Sequence, residues 1–351
     1  MTQRTIAADI QRRLLPGAAL AGAFLSRQAS ATTPPWSTFK ARFLQPDGRI
    51  LDTGNGGVSH SEGQGWGMLV AAANDDREAF DRIWSWTTQT LRRPDGLHSW
   101  RFRPGAAVDD PNNATDGDLY IALALVRAAA RWDSASYRDS AAQIARAILG
   151  VCTVTLGDSV LLLPGAQGFS TTTHVTINPS YFVFPAFQAL AAIAPDPRWS
   201  RLERNALQIL DRGRFGTWAL PPDWLSVHRA TGRLQLADNR PPRFGFDAVR
   251  IPLLLAWGRH HDAPANTAAR RFWSSTGANT APPAWVDLRT AEVAPYPASS
   301  GVRAIARLIE AVAQGQGSFQ TPNQLITEDY YASMLGLLAG VAAVDLNLVR
   351  R

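Results

Sequence analysis

Glu62 stands in the run Ser59-His60-Ser61-Glu62-Gly63-Gln64-Gly65-Trp66-Gly67-Met68, a carboxylate followed by three alternating glycines. A carboxyl at a helix start can serve as a general acid, and glycine removes the side chains that keep a ligand away from the backbone. Each glycine also lowers helix propensity by roughly 1 kcal/mol relative to alanine. A helix entrance that gives up this much stability fits a functional site, although Glu62 equally fits a first-turn acid favoured by the helix dipole. Asp116 and Asp118 follow in Ala114-Thr115-Asp116-Gly117-Asp118. Two positions apart on a nascent helix they point in different directions, so one is expected to be a structural cap and the other to face a site. Asp247 and Arg250, in Gly245-Phe246-Asp247-Ala248-Val249-Arg250-Ile251-Pro252, are spaced i, i+3 and can pair. Such a pair is either a surface contact of little worth or, given its apolar flanks, the lining of an interior cleft.

Twelve tryptophans in 351 residues supply a second ingredient. Trp66, Trp100, Trp224 and Trp285 stand in loop-like, Gly/Pro-rich contexts, where an exposed indole can stack on the C–H face of a sugar. Trp84, Trp86 and Trp132 sit in helical patterns and read as core. Other chemistries lack their parts. Six histidines include His260-His261 but no H-E-x-x-H or comparable ligand spacing, so no metal is expected. There is no Walker A loop, Rossmann fingerprint or G-x-S-x-G elbow either, and no cofactor is expected. Carboxylates beside aromatic platforms leave glycoside hydrolysis as the commonest use of the combination.

The elements that must position these groups are mostly helical. Apolar residues at helical spacing predict helices over 61–73, 76–88, 116–132, 136–149, 179–193, 199–212, 246–260, 264–276, 301–313 and 323–344, with Ser61 and Asp75 or Asp76 as caps. The longest connections, 165–178 and 216–244, are rich in Gly, Pro, Asn and Asp, and a short strand is expected over 160–163. Loops of that length are usually functional. Consecutive helix pairs with elaborated loops at one end suggest an α/α toroid with a cleft, while the pattern alone leaves an α-solenoid open.

Composition bounds the rest. With 46% hydrophobic and 18% charged residues the chain is ordinary globular material, and no break after residue 34 suggests a second domain. Residues 1–31 carry Arg4, Arg12 and Arg13, an apolar run over 14–25 and Ala29-Ser30-Ala31, the order of a secretory signal peptide. The expected organisation is thus a signal peptide at 1–31 and one catalytic domain at 32–351, periplasmic or secreted, with no stable membrane anchor after signal removal. Arg4, Arg12, Arg13 and Arg27, offset by Asp9, account for half of the formal +6, and no Lys/Arg cluster suggests nucleic acid as a partner. The single Cys152, in an apolar stretch, reads as a small buried hydrophobe.

At this point the residues resemble glycoside hydrolase family 8, and within it the endo-glucanases of bacterial cellulose synthesis operons. The resemblance rests on 114–132, on Ser61-Glu62-Gly63-Gln64-Gly65-Trp66-Gly67-Met68, on Asn178-Pro179-Ser180-Tyr181-Phe182 and on Phe246-Asp247-Ala248-Val249-Arg250. It implies an all-α (α/α)6 barrel and endo-acting, inverting hydrolysis of β-1,4-glucan. Glu62 would be the general acid, Asp247 the general base, and Asp116 the residue that holds and distorts the sugar. Arg250 and Tyr181 would sit beside the base and that sugar, and Trp66 and Trp100 would be stacking platforms. A loop carboxylate such as Asp223 competes with Asp247 for the role of base. The resemblance admits xylan, chitosan or mixed-linkage β-glucan as substrates, and a cellulose synthase complex as a partner. A glycan-binding accessory of cellulose export is the alternative outside enzymes.

Overall fold

The computed structural model describes residues 35–105, 107–277, 280–315, 319 and 328–349. The expected signal peptide lies outside them, as does 323–327 at the start of the last predicted helix. Eleven α-helices occur among the described residues: α1 (Pro35–Phe43), α2 (Ser61–Ala73), α3 (Arg77–Leu91), α4 (Thr115–Arg131), α5 (Ala135–Val151), α6 (Phe184–Ile193), α7 (Pro197–Arg212), α8 (Ile251–Trp257), α9 (Pro264–Ser274), α10 (Ser300–Gln314) and α11 (Tyr330–Asp345).

Two kinds of helix alternate. In α7 only the stripe Trp199, Leu202, Ala206, Ile209 and Leu210 is buried, the pattern of a helix with one face on a core. All seven residues of α8 are buried, as are nearly all of α2 and α11. A helix buried all round must lie inside another layer. The inner helices pack in succession, α2 on α4, α4 on α6, α6 on α8, α8 on α11, and α11 back on α2. This closed ring of five inner helices, with its outer helices, is the (α/α)6-type barrel that the resemblance implies, one helix short of six full pairs among the described residues. Between α9 and α10 the described chain runs as loop with one short strand.

Two predicted helices are split. The 179–193 segment is a 3-10 turn (Pro179–Tyr181) followed by α6, and 246–260 is a 3-10 turn (Ala248–Arg250) followed by α8. Pro185 and Pro252 stand at the second positions of α6 and α8, where the missing N–H is harmless; farther inside a helix each ring would clash with the carbonyl four residues back. Asp76 caps α3 through Ala79 N–H at 3.1 Å, but Ser61 is not a cap: the N-cap of α2 is His60, without a side-chain bond.

Short antiparallel strands shape the loop end. They are β1 (Ser59–His60), β2 (Ser99–Arg103) and β3 (Ala107–Asn113) in one sheet, and β4 (Thr153–Leu156) with β5 (Ser159–Leu162). β6 (His174–Ile177), β7 (Leu225–His228) and β8 (Leu234–Leu236) form another, and β9 (Arg243–Phe244) pairs with β10 (Val286–Asp287). The two longest loops therefore meet through β6 and β7, with Ile177 opposite Leu225. That register sets Asn178, at the end of β6, beside Trp224 and Asp223, which precede β7.

Candidate active site

The site begins where α2 crosses α4. A Cβ on Gly65 would stand 2.8 Å from Ile121 N and from Tyr120 Cβ, and one on Gly117 would stand 2.7 Å from Glu62 N. These glycines admit the neighbouring helix, not a ligand, which corrects the expectation drawn from the glycine run. The crossing sets the first turns of both helices side by side, so Glu62 and Asp116 become neighbours although 54 positions separate them. Asp116 is almost fully buried and accepts Gly117 N–H at 2.8 Å. Burial, then the charge and hydrogen bond of Glu62, hold its carboxyl well above the usual carboxylate range. Asp118 points elsewhere. It accepts His98 N–H at 2.9 Å and Asn113 Nδ2 at 2.9 Å, the structural role expected for one of the two aspartates.

Arg250 joins this pair to Asp247. Its Nη2 lies 3.2 Å from Glu62 Oε1, 3.6 Å from Asp116 Oδ2 and 3.1 Å from Asp247 Oδ1. It also donates to Ser180 Oγ at 2.9 Å, and Nη1 donates to Tyr331 Oη at 3.3 Å. Burial works against the guanidinium charge, but Glu62, Tyr331, Asp247 and Asp116 outweigh it and strengthen proton binding. Glu62 Oε1 is near Arg250 without hydrogen-bond alignment and makes no hydrogen bond among the described residues. Asp247 is held on both oxygens, by Arg250 and by Asn178 Nδ2 at 3.1 Å from Oδ2. The side chains of Glu62 and Asp247 are 19% and 29% exposed, against 2% for Asp116, so the first two reach the cleft. One nitrogen touches both, so their facing oxygens stand at most about 6.3 Å apart, just under the roughly 6.5–9.5 Å usual where a water enters between an acid and a base.

The structure thus gathers Glu62, Asp116, Asp247 and Arg250. Tyr181 joins them: its hydroxyl is pushed up by burial and by Asp116, Asp247 and Glu62. Trp66 is corrected. It is fully buried, edge-on to Tyr120 at 5.7 Å, with the Arg250 guanidinium 5.7 Å from its ring centre, so it backs the arginine and offers no face to a sugar. A tryptophan one turn into an inner helix faces the barrel core, whatever the glycines around it suggest. Trp100 is half-buried on β2, parallel to His60 at 6.1 Å, with Arg101 4.4 Å from its ring centre. Trp285 is buried, while Trp224 is partly exposed, parallel to Phe169 at 6.0 Å and tilted against Tyr181 at 6.4 Å. Sequence reasoning missed Tyr331, whose hydroxyl donates to Phe246 O. Nothing near it in the chain signals the site; only the packing of α11 on α2 brings it there. Asn178 and Ser180 stood inside a recognised block but received no role.

Comparison with known proteins agrees with this geometry. The model of the family "Glycosyl hydrolases family 8" matches residues 13–344. A probable endoglucanase of Novacetimonas hansenii is 43% identical over 328 residues, covering 92% of this chain and 94% of that protein. An endoglucanase of Cellulomonas uda is 42% identical, covering 77% of this chain and 75% of its own. The structure of an endo-β-1,4-glucanase from Acetobacter xylinum superposes with a TM-score of 0.82 at 41% identity, over 89% of this chain and 97% of that one. The barrel with carboxylates gathered at its loop end is that of a glycoside hydrolase. The chain belongs to glycosyl hydrolases family 8.

Proposed function

We propose that this protein cuts β-1,4-linked glucan internally, by inversion, with Glu62 as acid and Asp247 as base. The observation that carries the reading is the placement of Glu62 and Asp247 at one nitrogen of a buried guanidinium, both reaching solvent. Burial, then the charge of Glu62, raise the Asp116 carboxyl well above its usual range, so this corner of the site favours holding a proton. Glu62 is the member exposed to the cleft and delivers that proton to the glycosidic oxygen as the C1–O bond breaks. Asp247, oriented by Asn178 and Arg250, takes a proton from a water that attacks C1 from the opposite face. The new reducing end then carries the inverted anomer. Asp116, Tyr181 and Arg250 hold the sugar at the point of cleavage, and Trp100 offers an aromatic surface along the cleft.

The relatives described as endoglucanases support β-1,4-glucan over the other substrates. Export to the periplasm or beyond is supported by the basic, apolar and small-residue order of 1–31. A role beside a cellulose synthase complex belongs to the same reading. The test is a panel of purified polysaccharides. Carboxymethyl cellulose should lose viscosity faster than it gains reducing ends, the mark of internal cutting. Faster cleavage of xylan, chitosan or mixed-linkage glucan would overturn the substrate assignment.

A further inference from the structure

We propose that Asp223 is a positioning residue that caps the turn bearing Asp247 from outside and thereby frees the Asp247 carboxylate for the water. The proposal rests on Asp247 being the base. Asp247 occupies the N-cap position of the 3-10 turn Ala248–Arg250. An aspartate there ordinarily folds back onto the exposed N–H groups of its own turn. Here its side chain makes no such bond. Asp223 holds the entrance of the turn instead: its Oδ1 accepts Gly245 N–H at 3.0 Å, Asp247 N–H at 3.2 Å and Ala248 N–H at 2.7 Å, while Val249 and Arg250 N–H bond to the carbonyls of Gly245 and Asp247. Its own N–H donates to Arg243 O at 2.7 Å, so one residue clamps the chain on both sides of Gly245.

The same geometry speaks against Asp223 as the base. Three donors converge on Oδ1, which leaves no lone pair for a water. The other oxygen lies over Gly245, where a Cβ would stand 2.8 Å from Oδ2. Asp223 acts on the base through the turn rather than through its charge. Asp247 and Arg250 are the charged groups that face Asp223, and Asp247 itself also faces Arg250, Asp116, Tyr181 and Tyr331. Burial, then Asp247, push the Asp223 carboxyl up to about 7, against the pull of its N–H donors. Below that pH Asp223 carries no charge, so the acidic limb of activity should not depend on it.

Two substitutions and one control test this on the full-length enzyme. Asp223→Asn keeps an acceptor oxygen for the turn but carries no charge. It should keep kcat within about 10-fold, with the acidic limb of kcat/KM unmoved. Asp223→Ala lets the Asp247 carboxylate collapse onto its own turn, and kcat should fall roughly 100-fold at a nearly unchanged KM. Azide should not restore Asp223→Ala. In Asp247→Ala, by contrast, azide can attack C1 in place of activated water while Glu62 protonates the leaving oxygen, giving the inverted glycosyl azide. If Asp223→Ala fails to fold by circular dichroism, the kcat of Asp223→Asn decides alone. A loss well beyond 10-fold in Asp223→Asn, or wild-type kcat in Asp223→Ala, would overturn the proposal and leave Asp247 as base. Full activity in Asp247→Ala would overturn the base assignment itself.

Discussion

The two halves of the site are built by different means. On one side, Glu62 and Asp116 ride on inner helices and are set by a backbone crossing that only glycine permits at 65 and 117. On the other, Asp247 and Arg250 ride on a single 3-10 turn, held by side chains from far along the chain: Asn178, Ser180, Tyr331 and Asp223. The acid side is fixed by packing, which has no soft adjustment. The base side is fixed by hydrogen bonds, each replaceable. Chemistry explains the division. The acid side must exclude water to retain a proton, whereas the base side must admit one water and let its carboxylate meet it.

The largest effects should come from the two chemical groups. Glu62→Gln and Asp247→Asn should each fold and lose at least ~100-fold in turnover on carboxymethyl cellulose, the scale for a positioned acid or base. Near-normal turnover in either would break the assignment of that side. Next come the glycines. Gly117→Ala drives a methyl towards Glu62 N and should lower unfolding stability by roughly 1–3 kcal/mol, read from urea melts. Gly245→Ala meets only the tip of the Asp223 side chain and should be milder. Equal losses would erase the contrast between a packed and a hydrogen-bonded half.

Asp116 sharpens the comparison through pH. Its carboxyl binds a proton more tightly folded than unfolded. It therefore stabilises the fold fully below about pH 4 and progressively less as pH rises through its elevated folded-state value. Asp116→Asn has no such titration. The melting temperature of Asp116→Asn minus that of the parent should climb between pH 4 and pH 8 in calorimetry; a constant difference would contradict the burial argument. The smallest effect concerns the tryptophans. Trp100→Ala should raise KM roughly 2- to 10-fold, the worth of an aromatic contact. Trp66→Phe should lower stability and leave KM alone, because Trp66 touches Arg250 and Tyr120 rather than the cleft.

Much of the acid side was legible in the chain. The Glu62 run and the Asp116-Gly117-Asp118 cluster are local, and the divergence of Asp116 from Asp118 follows from helix geometry alone. Their glycines were legible as a signal but misread as room for a ligand, because a close helix crossing and a ligand groove leave the same residue type behind. Trp66 was misread for a related reason: glycine neighbours suggest a loop, while its place one turn into an inner helix buries it. On the base side the Asp247–Arg250 spacing was visible, yet what makes it a site was not. Asp223 reaches the turn across 22 to 25 positions, and Tyr331 reaches Arg250 across 81. No periodicity encodes contacts of that range. The helices themselves were found except α1 (Pro35–Phe43), with their ends displaced wherever proline ended one turn and began another.

The central claim is that Glu62 and Asp247 act on opposite faces of the same glycosidic bond. Proton NMR of the first products released from a cello-oligosaccharide tests it most directly, since the anomer is set before mutarotation. The α-anomer appearing first, then relaxing towards equilibrium, is the result this site predicts. The β-anomer appearing first would mean retention, and would contradict the roles given to both carboxylates.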